Sequence, residues 1–282
     1  MTTHIVQEQQ DLGWWNVAGS SIFILFTAYL SHVLGIQLEI PLIVSSLRCI
    51  LQLTLMGLVL NDLLHMTQMW SVVLVFAGFV FLGTFEIIFH RCQKTLLGLL
   101  PTVFLVLFIS NGLIGAVGIR YALAESPFWE PMIFIPVLGM LLGNTMSSVA
   151  MSTTTCIEGV MNDHLIIETR LSFGASRKEA LRQVAVQAIH TSMLPPITQL
   201  SIMGLINIPG MLVGQLLAGV HIQDAVRYQI CIMFMSTASS ALGVLLTTWM
   251  CLYILVDKRH SIRVDRIVES KPLMLWRAFW SR

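Results

Sequence analysis

Charge is what this sequence has least of. Aspartate, glutamate, lysine and arginine make up 11% of its 282 residues, against roughly 25% in a soluble domain. So little charge cannot cover a folded surface in water. With 56% hydrophobic residues and a mean hydropathy of +0.79, the chain reads as an integral, multi-pass membrane protein. None of the four lysines follows a glycine, so no GxxxxGK[ST] loop is present to cradle nucleotide phosphates. HExxH and GxSxG are also missing, which removes the zincin helix and the nucleophile elbow. The cysteines Cys49, Cys92, Cys156, Cys231 and Cys251 form no CxxC pair. They read as small apolar residues, not as a disulfide framework or zinc site. The net charge of +1 says nothing about partners, but the lack of a basic patch outside the tail disfavours nucleic acid. Met1 to Asp11 contain no lysine or arginine and so lack the basic start of a secretory signal.

Long apolar runs are what the sequence does have. A bilayer core needs about twenty apolar residues per helix, and seven stretches qualify: about 14–34, 42–60, 70–89, 96–118, 133–155, 190–207 and 226–256. The expected fold is all-α, with about seven transmembrane helices. The sixth stretch is interrupted by Pro195-Pro196 and ends at Asn207-Ile208-Pro209-Gly210. Residues 209–219 are too short to cross; they are either a re-entrant half-helix packed on protein or the end of one long kinked helix over 190–219. Basic residues set the orientation. With the N-terminus outside, six fall in inner loops (Arg91, Lys94, Arg170, Arg177, Lys178, Arg182) and seven in the tail, against Arg120 and Arg227 outside. That is the positive-inside bias. The expected divisions are an extracytosolic segment 1–13, a membrane domain 14–256 and a basic cytosolic tail 257–282. Whether the membrane is the plasma membrane or an internal one stays open.

Between the spans, residues 156–196 concentrate about a quarter of the chain's charged side chains. Leu165 to Leu171 reads as helical, and Gly174 supplies the left-handed residue that ends a helix. Ser176-Arg177-Lys178-Glu179 is a capping box opening a second helix. Its Ala180, Leu181, Val184, Ala185, Ala188 and Ile189 share one apolar face, opposite Lys178, Arg182, Gln183 and Gln187. The element is therefore a cytosolic helical hairpin, expected over about 156–190, able to hand force to the flanking spans.

Polar residues inside the spans offer two readings each. Thr145, Ser148, Ser152 and Thr155 form one hydroxyl stripe; Ser236, Ser240, Gly243 and Thr247 form another. They either line a polar path or bond to their own helix carbonyls and permit packing. Pro136, Met140, Gly143 and Ser147 share a face, and Gly139 with Gly143 is a small-xxx-small pair. Gly112, Gly115 and Gly118 form a packing stripe in the fourth span. Arg48, one turn from Gln52, either snorkels to the interface or forms an interior pair with Glu39 or Glu86. Met140, Met146, Met151 and Cys156 offer soft ligands but also ordinary core filling.

Glu168 to Ala175 resembles the EAA loop of ABC-transporter membrane subunits, with a Glu six residues before a Gly, although Thr169-Arg170 replace the two alanines. Three further stretches carry a wider resemblance. Arg48-x3-Gln52-x4-Gly57 is one. The run Ile135-Pro136-x-x-Gly139-Met140-x-x-Gly143-Asn144-x-Met146 is the second. Pro209-Gly210-Met211 with Gly214 and Ala218-Gly219, then Tyr228-Gln229-Ile230, is the third. Together they resemble the FetB-type family of ABC permeases, which includes bacterial iron-export proteins and plant aluminium-tolerance subunits.

The resemblance implies a permease subunit, not an enzyme. It implies a separate ABC ATPase that uses the ATP, a homodimer, and no cofactor bound by this chain. It places Glu168, Leu171, Gly174 and Ala175 at the ATPase-coupling loop. Arg48, Gln52, Pro136, Gly139, Gly143, Asn144, Met146, Ser148, Ser152, Pro209, Gly210 and Gln229 are candidates for the path or its packing. No metal-ligand set is identified. Bacterial relatives suggest export of iron or another metal; the plant ones suggest a nucleotide sugar. A seven-helix receptor fits the span count as well, but the broken sixth span and the lack of a DRY-like motif argue against it. An intramembrane enzyme has only the hydroxyl stripes to draw on.

Overall fold

The computed structural model describes residues 13–64, 68–92, 94–96, 98–124, 127, 129–255 and 267–269. The expected N-terminal segment, except Gly13, and the basic tail, except 267–269, lie outside the described residues. The chain divides into two units, Met1–His65 and Met66–Arg282.

The first unit is a helical hairpin of α1 (Trp14–Val33) and α2 (Glu39–Leu64). Its turn is held by Ser31, whose hydroxyl donates to Glu39 Oε2 at 3.3 Å and accepts from the Leu38 amide at 2.9 Å. His32 Nδ1 lies 3.6 Å from Glu39 Oε1. Glu39 is thus engaged at the turn, and Arg48 sits nine residues further along α2, about 13 Å by helical rise.

The second unit contains α3 (Met69–Glu86), a π-turn (Ile87–Arg91), α4 (Leu99–Tyr121), α5 (Pro131–Asn162), α6 (His164–Ser172), α7 (Arg177–Ile202), α8 (Gly210–Leu217) and α9 (Ile222–Leu255). The fold is all-α apart from a two-stranded ribbon. In it, β1 (Lys94–Leu96) pairs antiparallel with β2 (Ile267–Glu269).

Side-chain pairs fix the helix directions. Asn144 meets Ser236 and Ser152 meets Thr248, so α5 and α9 run parallel. Gly83 packs under Met146, and Cys92 lies against Ala150, so α3 is parallel to both. Gly115 meets Leu138 and Asn111 meets Thr145, so α4 is antiparallel to α5. The carboxyl ends of α3, α5 and α9 therefore share one end of the bundle. The β1–β2 ribbon agrees, since it ties the α3–α4 loop to the segment after α9.

Among the described residues, six helices are long and apolar enough to cross a bilayer: α1 to α5 and α9. The sixth expected span, 190–207, is not among them as a separate helix. Its residues prolong α7, whose first turns are charged and whose later ones contain His190, Pro195, Pro196 and Gln199. Two parallel crossings nevertheless require a return between them. α7 makes that return, packing back along α5 from the contact of Val184 with Gly159. The Pro195-Pro196 interruption expected from sequence does not occur: the helix runs through both prolines. Such continuity is tolerated in membrane helices because neighbours re-satisfy the freed backbone groups. The break falls later, at Met203–Pro209, where a turn separates α7 from α8. Residues 190–219 are thus not one kinked helix. α8 is an eight-residue half-helix packed on α9, far too short to cross alone.

Glycines set the closest approaches in the fourth span, as its stripe suggested. Cβ atoms on Gly112, Gly115 and Gly118 would meet Phe76 of α3, Leu138 of α5 and Met235 of α9 in turn. Gly243 is a close junction on α9 itself. A Cβ there would sit 2.7 Å from Thr145 Cγ2 and 3.3 Å from Val149 Cγ2, β-branched groups with little freedom to withdraw. Gly243→Val should destabilise the protein by about 1–3 kcal/mol, read as a lower Tm in detergent. Gly78→Ala, where the added atom meets open space, should leave Tm unchanged.

Candidate functional site

Two features carry the polar chemistry of the second unit: an elbow at the end shared by the α3, α5 and α9 carboxyl termini, and a seam of buried hydroxyls between α5 and α9.

The elbow is built as the sequence dictates. α6 ends in a Schellman motif, with the Ala175 amide donating to Arg170 O at 3.0 Å and the Gly174 amide to Leu171 O at 3.1 Å. Gly174 takes φ +86°, a left-handed value that only glycine adopts without strain. Two residues later, Ser176 caps α7. Its hydroxyl accepts from the Glu179 amide at 3.4 Å, and Glu179 Oε2 accepts from the Ser176 amide at 2.8 Å. The same carboxylate oxygen accepts a hydrogen bond from the Ser176 hydroxyl at 2.7 Å. The Ser176 hydroxyl, and then its amide, hold the Glu179 carboxyl below the usual carboxylate range.

Leu171 and Ile167 are buried in the core cluster that also holds Ala180, Leu181 and Val184, which fixes the angle between the two helices. Glu168 and Gly174 are exposed and Ala175 is half-buried. The sequence reading missed the other apolar face of α6. Leu165, Ile166 and Phe173 all point to solvent, Phe173 with 87% of its surface exposed. The signal was present in the spacing i, i+1, i+8, which is one helical stripe.

The seam zips α5 to α9. Asn144 Nδ2 donates to Ser236 Oγ at 2.7 Å, and Ser152 Oγ lies 2.9 Å from Thr248 Oγ1. At its centre Asn111 of α4 accepts with one oxygen from Thr145 Oγ1 (3.1 Å) and Ser239 Oγ (2.9 Å). Its amide donates to Leu107 O at 2.9 Å. All three of these side chains are fully buried. Ser148 bonds back to Asn144 O at 3.3 Å. Asn111 and Ser239 were not picked out from sequence; a lone amide within an apolar span was the available sign. Gln229, Ser240 and Thr247 complete the buried side of α9, and their polar side-chain atoms lack a hydrogen-bond partner among the described residues.

Other candidates fall elsewhere. Pro136, Gly139 and Gly143 lie on the exposed side of α5 with Ser147, onto which Arg91 Nη1 donates at 2.7 Å. Met146 packs on Gly83 and Cys156 faces away from it into the α9 side, so the sulfur residues do not converge. Pro209 caps α8 and Gly210 opens it. Arg48 is half-buried and Gln52 exposed on α2. Among the described residues, no group of three or more His, Cys, Asp or Glu side chains is arranged to hold a metal.

These features define a multi-pass helical membrane protein in which part of the buried polar set joins α4, α5 and α9. The chain belongs to the UPF0014 family, described as an uncharacterised protein family, whose pattern matches residues 14–255. It is 31% identical over 247 residues to the UPF0014 membrane protein slr1647 of Synechocystis, covering 84% of this chain and 90% of that one. It is 24% identical over 255 residues to the probable iron export permease protein FetB of Escherichia coli, covering 90% and 96%. It is 24% identical over 245 residues to ALUMINUM SENSITIVE 3 of Arabidopsis thaliana, covering 83% and 84%. No solved structure matches the chain.

Two outcomes check this geometry. Asn111→Ala should cost about 1 kcal/mol, since it strips the shared acceptor from two buried hydroxyls, and should lower Tm more than Ser148→Ala, whose partner is local. The lowered Glu179 carboxyl contributes stability above the ordinary carboxylate value and loses it as pH falls through the lowered one. Amide protection factors in the first turn of α7, taken against the intrinsic exchange rate at each pH, should therefore fall below about pH 4, and Glu179→Gln should abolish that dependence.

Proposed function

We propose that this chain is the membrane permease of an ABC-type transporter, worked by a separate ATPase that binds the elbow. The observation that carries the reading is the elbow itself. It is a short, doubly capped corner with Leu165, Ile166 and Phe173 unburied, at the end of the bundle that holds most of the basic residues. The positive-inside bias puts that end in the cytosol, where an ATPase can reach it. Exposed apolar side chains on a rigid corner are what a groove in a soluble partner would take up.

Force on α6 reaches the spans by two routes. α6 continues from α5 across one residue, Asp163, and packs on α7, which in turn lies on Gly159 through Val184. A tilt of α5 against α9 separates Asn144 from Ser236 and Ser152 from Thr248. The seam is closed because its hydroxyls satisfy one another. Parted, the same groups become the polar lining of a path. On this reading the hydroxyls serve both earlier alternatives, packing in one state and lining in the other.

The cargo we propose is iron or another metal leaving the cytosol, in keeping with the similarity to the probable iron export permease protein FetB of Escherichia coli. Two copies are proposed to assemble. The α5 face at Gly139 and Gly143, where an added Cβ meets open space, suits the close approach of a further helix.

Phe173→Ala and Gly174→Leu should each reduce ATPase co-purification and metal export at least about tenfold, a loss of about 1.4 kcal/mol or more. The membrane insertion of the chain should be unchanged. Co-purification and export at the unsubstituted level would sink the proposal.

A further inference from the structure

We propose that the outward face of α6 and α7 holds one anionic phospholipid of the adjoining leaflet, its phosphate between Arg170 and Arg182 and an acyl chain along Val186, Leu194 and Ile197. Two grooves run end to end on this face. One of about 700 Å³ is lined by Arg170 and Arg182 and reaches Val186 and His190. The next, of about 370 Å³, starts from the same Val186 and His190 and ends at Met193, Leu194 and Ile197. The order along the helix is cation, imidazole, aliphatic.

The bilayer is level with this order. Trp249 and Tyr253 of α9 are exposed beside each other, as aromatic residues are at a membrane interface. Cys251, between them, touches Cys156 of α5, and Gly159, one turn further, touches Val184 of α7. The interface therefore crosses α7 near Val184 and Val186. Arg182 lies on its watery side and Leu194 and Ile197 on its apolar side. From Val186 to Ile197 is about 16 Å by helical rise, close to the depth of one leaflet's hydrocarbon, about 15 Å.

The cationic end is set for an anion. Arg170 Nη2 donates to Gln183 Oε1 at 3.1 Å, which holds the guanidinium against α7. Among the described residues, no carboxylate lies within ion-pair distance of Arg170 or Arg182. Glu179 borders the same groove, with its Oε2 turned to the Ser176 amide and hydroxyl. Val186, Leu194 and Ile197 are 58%, 47% and 51% exposed. A soluble partner would match the charged end and not the apolar one. Charge complementarity at one end and bilayer depth at the other select a lipid with a negative headgroup.

The inference uses the bilayer placement of the proposed function but not its ATPase, so either can fail without the other. The test is native mass spectrometry of the full chain, re-lipidated with phosphatidylglycerol or phosphatidylcholine. The unsubstituted chain should retain phosphatidylglycerol selectively. Arg170→Gln with Arg182→Gln should weaken that retention about thirtyfold, the weight of two basic side chains at an anionic surface. Ile197→Trp, which fills the apolar groove, should weaken retention with the arginines intact. Arg120→Gln with Arg227→Gln, at the opposite end, should change nothing. Equal retention of both lipids, or retention unchanged by the paired Arg170 and Arg182 substitutions, would overturn the proposal. So would cross-linking of Val186→Cys to a second copy in membranes, because a protein would then fill the groove.

Discussion

A polar group in hydrocarbon must find its partner within the protein, and the second unit is arranged around that demand. Asn111, Thr145 and Ser239 form a closed triangle contributed by α4, α5 and α9. Asn144–Ser236 and Ser152–Thr248 extend it towards both ends. These pairs fix not only which helices touch but which way they run. Parallel α5 and α9 then require α7 to return between them, although α7 is the least apolar of the crossings. The topology follows from the hydrogen bonds more directly than from hydropathy.

The same seam explains how a chain can be firm at rest and still able to change. Each interhelical hydroxyl pair in a membrane contributes modestly, about 0.6 kcal/mol on average. Several in line hold two helices in register, yet no single pair is strong enough to forbid their parting. The elbow has the opposite character. Its Schellman turn and capping box satisfy the backbone at a corner of four residues, Phe173 to Ser176, which leaves little slack. A stiff corner beside a seam of individually weak bonds is a suitable pairing of handle and hinge.

Much of this was legible in the sequence. Gly174, Ser176 and Glu179 announced the elbow because cap chemistry is local and each residue has a fixed task. The Gly112, Gly115 and Gly118 stripe announced the packing of α4 for a similar reason, since glycine leaves room whichever neighbour comes. The hydroxyl stripes were visible as stripes, but their partners were not. Spacing along α5 shows that Thr145 and Ser152 face one way; it does not show that Ser239 and Thr248 stand opposite. Asn111 went unnoticed because a single amide has no period. The prolines misled because Pro195-Pro196 breaks a soluble helix more readily than one embedded among neighbours; the helix ends about two turns later, in the Met203–Pro209 turn that Asn207-Ile208-Pro209-Gly210 had marked.

That continuity through the prolines has a mechanical consequence. Pro195 and Pro196 have no amide proton to offer the carbonyls of Thr191 and Ser192, so α7 is missing two rungs of its ladder in its second half. Flexure of α7 is cheapest there. Rotation arriving from the elbow would be absorbed at that point, and the turn with α8 beyond it would stay seated on α9. The protein thereby possesses a built-in joint that divides a swinging inner arm from a stationary outer one.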